Sequence, residues 1–226
     1  MNILILIANV IFFAGYRLGY YLDDKTFTVI AKALSSACFV ANAFYWARKA
    51  EDKSETFRRY SKKILIGLSL ALIADVVIQF NTAGGIVAFM FVQIMYFLAF
   101  MEFKKINAAY LIKVVCVTVF LVVFEWFLPL VDIKPLLIPL VIYILMITSE
   151  LIKSFDVLTF KSPRTRLVIA GSILFFISDF SLQFTIPEFC QLSWLADQIM
   201  NGISNAIYYA AQLFLGYSLA KDFMTE

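Results

Sequence analysis

The chain has 226 residues and a formal net charge of +3; 62% of its residues are hydrophobic and 15% are charged. A soluble domain carries about 25% charged residues, so a water-soluble globule is excluded. No histidine is present, which removes His-based zinc or iron sites, Ser-His-Asp triads and imidazole proton relays. The three cysteines, Cys38, Cys116 and Cys190, do not cluster, so neither a disulfide framework nor a thiolate metal site is indicated.

A helix that crosses a bilayer needs about 20 mostly apolar residues. In chain order the stretches that fit are Asn2–Tyr21, Phe27–Ala47, Ile64–Phe80, Ala83–Phe100, Ala108–Phe127, Pro135–Ile152, Leu167–Ile186 and Gln198–Leu219. The first is too long, and lacks a small-residue cleavage site, to read as a removable signal peptide. No alternating ten-residue pattern suggests an outer-membrane barrel. The expected fold is all-α: a single integral membrane domain over residues 1–226, a polytopic bundle of eight transmembrane helices.

Lys and Arg in short loops set orientation. Arg48, Lys49, Lys53, Arg58, Arg59, Lys62 and Lys63 follow span 2. Lys104 and Lys105 follow span 4, and Lys153, Lys161, Arg164 and Arg166 follow span 6; Lys221 lies in the tail. The opposite loops hold Lys25 and Lys134. Both termini are therefore expected on the cytoplasmic face, of the inner membrane if the source is a bacterium. Nucleic acid is not an expected partner, because the positive-inside bias explains the basic loops and they are mixed with Glu51, Asp52 and Glu55.

The pattern G-x5-I-[AS]-D-x2-[IL]-Q-F occurs twice, over Gly67–Phe80 in span 3 and Gly171–Phe184 in span 7. Two parallel four-helix halves, 1–105 and 106–226, are expected, related by an axis along the membrane normal. Spans 1–2 and 5–6 show no clear match. Such an axis brings Asp75 and Asp179 to equivalent depths.

An ionisable residue inside a span costs about 2.5–3.5 kcal/mol or more and is a functional candidate by default. Arg17, Lys32, Asp75 and Asp179 stand out; Lys113, about two turns into span 5, and Arg17, near the outer end of span 1, can snorkel. Gly67, Ala71, Ala74 and Asp75 share one narrow helical face, as do Gly171, Ser172, Ser178, Asp179 and Gln183. Small residues of this kind let helices approach closely, so these faces point inward. Asn201, Asn205, Tyr208 and Gln212 form one polar stripe on span 8, and span 4 adds Gln93 and Tyr96. At 1.5 Å per residue, Asp75, Asp179 and Lys32 lie roughly 7–12 Å below the outer surface. A polar pocket open to the outer leaflet is expected. The plainer reading is an Asp75–Lys32 ion pair that fixes packing, with Gln and Tyr as interhelical glue. Cys38 and Cys116 read as packing residues, and Tyr16, Tyr20, Tyr21, Tyr45 and Trp46 as interfacial anchors.

Two carboxylates in a dry pocket share one proton more readily than both ionise, which gives an acid and a base without histidine. That suits acid-initiated hydrolysis through an oxocarbenium-like cation. In a membrane the fitting substrate is a lipid with an acid-labile ether, such as a vinyl ether.

These residues resemble the lysoplasmalogenase (YhhN-type) family of multi-pass membrane proteins. The family's Lys-Pro in span 2 is matched at Lys32-Ala33, and its Gly-Asp in span 3 at Ala74-Asp75. Its Ala-Phe-x3-His-x2-Tyr in span 4 is matched at Ala88-Phe89, Gln93 and Tyr96. Its Gly-x-x-Leu-Phe-x-x-Ser-Asp is matched at Gly171, Leu174-Phe175 and Ser178-Asp179, and its Tyr-Tyr-x-Ala-Gln at Tyr208-Tyr209-Ala210-Ala211-Gln212. The resemblance implies an eight-span enzyme that hydrolyses the vinyl ether of lysoplasmalogens to a fatty aldehyde and glycerophosphoethanolamine or glycerophosphocholine, with no organic cofactor and no metal. It implies Asp75 and Asp179 as the acid/base pair. Lys32 would be a phosphate contact. Gln93, Tyr96, Tyr208 and Gln212, with Ser178 beside the second aspartate, would orient the lysophospholipid or water. Three departures are Gln93 for the family's His, Ala74 for its Gly and Ala33 for its Pro. Gln donates and accepts hydrogen bonds but does not titrate. Two rival readings are a proton-coupled transporter of a small solute or lipid, which intramembrane carboxylates also suit, and an inactive member with a structural or sensory role.

Overall fold

The computed structural model describes residues 3–50, 54–128, 137–159, 163–186, 190 and 192–220. Asn2, Glu51, Asp52, Lys53, Lys134, Pro135, Lys161 and Lys221, which entered the reading above, lie outside them. Among the described residues there are eight α-helices: α1 (Ile3–Tyr21), α2 (Lys25–Lys49), α3 (Glu55–Val77), α4 (Thr82–Phe100), α5 (Ala108–Trp126), α6 (Leu137–Ser154), α7 (Pro163–Leu182) and α8 (Trp194–Tyr217).

Local chemistry sets several helix starts. Asp24, Ser54, Asn81, Asn107 and Ser193 each place a side-chain oxygen on the backbone N–H three residues on, satisfying a donor the helix leaves unpaired. The α1–α2 turn uses Asp23 at φ 55°, a left-handed conformation that Asp tolerates better than most residues. The cap at Ser54 also explains the largest boundary difference. Span 3 was expected to begin at Ile64, but α3 begins at Glu55, so Arg58, Arg59, Lys62 and Lys63 stand on helical turns and not in a loop. Beyond α7 a short 3-10 segment, Gln183–Thr185, continues the chain.

Six of the helices, all but α3 and α8, are long and apolar enough to cross a membrane, and the protein is an integral membrane protein. The other two fall short for visible reasons. The first turns of α3 carry Glu55, Arg58, Arg59, Lys62 and Lys63. On α8 the polar stripe Asn201, Asn205 and Gln212 lowers the hydropathy, and it is buried. Lipid-facing helices show the reverse pattern: Leu111, Ile112, Val115, Val119 and Phe120 of α5 are exposed. Cys116 sits on this exposed helix and is itself exposed, so it is not the packing residue expected.

The packing follows one order. Helices α2, α3, α4, α6, α7 and α8 form a closed ring of neighbours, with α1 packed on α2 and α5 packed on α6. Exchanging α1–α4 for α5–α8 maps these pairs onto one another: α2 touches α8 as α6 touches α4. Gly67 and Gly171 of the repeated motif occupy matching places. A Cβ on Gly67 would lie 2.4 Å from Cε1 of Tyr96 in α4, and one on Gly171 would lie 2.9 Å from Cγ of Leu215 in α8. Tyr96 is fully buried and cannot swing away. Gly67→Ala is therefore expected to destabilise the bundle by about 1–3 kcal/mol. Gly15→Ala meets only atoms at 3.6 Å and serves as the neutral comparison; thermal melting in detergent reads both.

One end of the bundle is stitched by charges. Lys63 pairs with Glu102, Arg59 with Glu102 at 3.2 Å, and Lys153 with Asp156 at 2.7 Å. At the other end Arg17, expected to snorkel, donates to Asn201 Oδ1 at 2.7 Å and to the Gln198 carbonyl at 2.6 Å. Tyr16, expected as an interfacial anchor, is buried and donates to the same Asn201 oxygen at 2.9 Å. These bonds tie α1 to α8.

Candidate active site

The two aspartates sit in separate polar clusters of parallel construction. Asp75, on the inward face of α3, is buried. Its Oδ2 accepts from Ser36 of α2 at 2.6 Å and from Tyr208 of α8 at 2.8 Å, and Lys32 of α2 stands 3.6 Å from its Oδ1. The Lys32 ammonium also lies over the Tyr16 ring. Lys32 is therefore a counter-charge of Asp75.

Asp179, on α7, is only partly buried. Its Oδ2 accepts from Tyr143 of α6, and from Gln93 Nε2 of α4 at a long 3.5 Å. Each aspartate is thus bonded from two helices, α2 and α8 for Asp75 and α6 and α4 for Asp179. These are the helices that exchange places in the packing order above.

Between the clusters lies an aromatic wall. The Tyr208 ring packs on Phe89 (5.9 Å between centroids), Phe175 (5.8 Å) and Phe39 (6.1 Å), mostly edge to face. Phe89 and Phe175 belong to the family-like motifs of spans 4 and 7. Behind them Tyr96 donates to Gln212 Oε1 at 2.6 Å, which leaves Gln212 Nε2 and Gln93 Oε1 buried without partners. Ser178 is engaged elsewhere: its hydroxyl donates to the Ser204 carbonyl and the Ser204 hydroxyl donates to the Ser178 carbonyl, a reciprocal clasp of α7 to α8.

Among the described residues the expected polar side chains fall into two clusters beside an apolar cleft. The polar residues largely satisfy one another, and the space beside them is apolar. An apolar cleft runs among α4, α5, α6 and α7, lined by Phe89, Leu121, Leu140, Ile144, Ile147 and Phe176 among others. Of the site residues expected from the sequence, Asp179 alone lines it; Tyr143 and Phe89 join it there. Both hydrogen bonds to Asp179 land on Oδ2, and Oδ1 accepts none among the described residues.

Three residues of this region escaped the sequence reading. Tyr143 had no signal beyond its place in an apolar span. Glu125 and Glu150 did carry one, since each is an acid within a predicted span, the same criterion that selected the aspartates. Glu150 is fully buried and accepts from Ser172 at 2.7 Å. Glu125 lines the cavity.

Among curated proteins none matches this chain, and among solved structures none does. The sequence model of the YhhN family matches residues 27–219. That range takes in both aspartates, their partners Lys32, Ser36, Gln93, Tyr143 and Tyr208, and every helix of the ring. The chain belongs to the YhhN family.

Proposed function

We propose that this protein is an eight-span membrane hydrolase that cleaves the vinyl ether of a lysoplasmalogen, releasing a fatty aldehyde and glycerophosphoethanolamine or glycerophosphocholine without a cofactor. Both termini face the cytoplasm, with the basic ends of α2, α3 and α6 on that side, and the chain is two parallel four-helix repeats. Family membership supports the reaction class. The observation that carries it furthest is Asp179 set in the wall of an apolar cleft between helices, where an alkenyl chain can lie beside a proton donor.

Asp179 starts protonated on Oδ1, with Oδ2 held by Tyr143 and Gln93. It delivers the proton to the alkenyl carbon remote from the ether oxygen. Positive charge develops on the other vinyl carbon and on the oxygen, next to the new carboxylate, which stabilises it in a low-dielectric site. Water adds to that carbon, and its proton passes to Asp75. Tyr208 stands on this route, its hydroxyl on Asp75 and its ring on the cavity residue Phe89. The hemiacetal then collapses: its hydroxyl proton returns to Asp179, and the glycerol oxygen leaves with the proton held by Asp75. Both carboxyl groups end as they began. Gln93 takes no proton in this scheme; it needs only to donate, which an amide does.

Purified protein in detergent, given a lysoplasmalogen and the matching saturated alkyl-ether lipid, is expected to release trapped aldehyde from the vinyl ether alone. Folded, monodisperse protein that releases aldehyde from neither contradicts the reading. Tyr143→Phe removes one bond to the proton donor and is expected to lower kcat about tenfold, with KM little changed.

A further inference from the structure

Glu125 of α5 and Gln183, just past α7, belong to neither aspartate cluster, yet both line the cavity that Asp179 lines. Glu125 is 4% exposed and Gln183 5%. Among the described residues neither Glu125 Oε2 nor Gln183 Nε2, both buried, makes a hydrogen bond of good geometry, although the two side chains lie close enough to interact with each other. Buried polar atoms are nearly always paired, so each unpaired one calls for an explanation. Here an acceptor and a donor stand together, unmatched, in the wall of an otherwise apolar cavity.

The ligand chemistry that completes this pair is a hydroxyl, which donates one hydrogen and accepts another. An ammonium would satisfy Glu125 and leave the Gln183 donor unmatched; a phosphate would do the reverse. Position agrees. Gln183 follows Asp179 by four residues, about 6 Å along the chain, comparable to the reach from a vinyl ether carbon to the hydroxyl on glycerol's middle carbon. We infer that Glu125 and Gln183 form a hydroxyl-reading subsite of the cavity, which takes the free middle hydroxyl of a one-chain glycerolipid. The identity of that lipid rests on the vinyl ether reading above. A second acyl chain at this position removes the donated hydrogen and adds bulk, so the subsite selects against two-chain lipids. Sites that leave a buried polar group unpaired reject the wrong ligand strongly.

Binding tests this without turnover. The probe is a saturated alkyl-ether lysophospholipid, compared with the same lipid lacking the middle hydroxyl, titrated calorimetrically against the whole protein in micelles. The wild type is expected to bind the hydroxyl lipid about tenfold tighter or more. Glu125→Leu and Gln183→Leu should each bring the ratio close to one while the deoxy lipid binds as before. The two side chains have only their contact with each other to lose, so both variants should melt close to the wild-type temperature; Glu125→Gln is the closer isostere if Leu fails to fold. A wild-type ratio near one, a ratio unchanged in both variants, or a preference that follows the head-group ammonium instead of the hydroxyl overturns the inference. Aldehyde release assayed in parallel separates the two readings. Aldehyde with no hydroxyl preference defeats the subsite alone, and a hydroxyl preference without aldehyde defeats the vinyl ether reading alone.

Discussion

Asp179→Asn is expected to cut aldehyde release sharply and to leave the bundle folded. The substitution keeps the shape of the side chain and an oxygen that accepts from Tyr143, but it removes the proton that starts the reaction. General acid catalysis contributes about a hundredfold to ten-thousandfold in rate, and the loss in kcat should fall in that range with KM nearly unchanged. Fold retention is expected because Asp179 is only partly buried and, among the described residues, has no countercharge that its loss would strand. Melting temperature and size-exclusion profile in detergent check the fold; trapped aldehyde checks the activity. Full activity in a folded Asp179→Asn protein would remove this residue from the chemistry.

Asp75→Asn behaves differently, although the two aspartates share a sequence motif. Lys32 is 5% exposed and stands 3.6 Å from Asp75. Removing one member of a buried pair leaves an uncompensated charge and costs about 3–5 kcal/mol. The loss also weakens two hydroxyl bonds, from Ser36 and Tyr208, which both reach Asp75 Oδ2. A large drop in melting temperature is therefore expected, together with loss of activity. Lys32→Met in the same chain removes the stranded ammonium and should restore most of the stability. It should not restore aldehyde release. This double variant separates the structural role of the pair from its chemical role: restored fold with no turnover fits a proton acceptor, whereas restored fold with restored turnover would make Asp75 a packing residue only.

Much of the architecture was legible in the sequence because its causes are local. Apolar runs of bilayer length locate the helices, and capping residues such as Asn81, Asn107 and Ser193 fix where they begin. The inward faces were readable too: Ala71, Ala74 and Asp75 on α3 and Asn201, Asn205, Tyr208 and Gln212 on α8 are all buried. Hydropathy misplaced the start of α3, because four basic residues mask a helix that a serine cap begins. The site was only half legible. Residue type marks a candidate, but it does not say which neighbour absorbs its hydrogen bonds. Ser178 turned out to clasp α8 at Ser204, whereas the Lys32–Asp75 pair was one of the readings the sequence offered. The cavity could not be read at all, since it is built by side chains from α4 to α7 and appears only when those helices pack. Tyr143, whose hydroxyl meets Asp179 across that packing, was silent for the same reason.

The central claim is that a carboxylic acid protonates the alkenyl carbon of a vinyl ether lipid. Turnover in heavy water tests it most directly, with the aldehyde trapped as it forms and its mass measured. One deuterium is expected on the carbon next to the carbonyl in the wild-type product, with none of that product from Asp179→Asn. Aldehyde without that deuterium, or no aldehyde from folded wild-type protein, would contradict it.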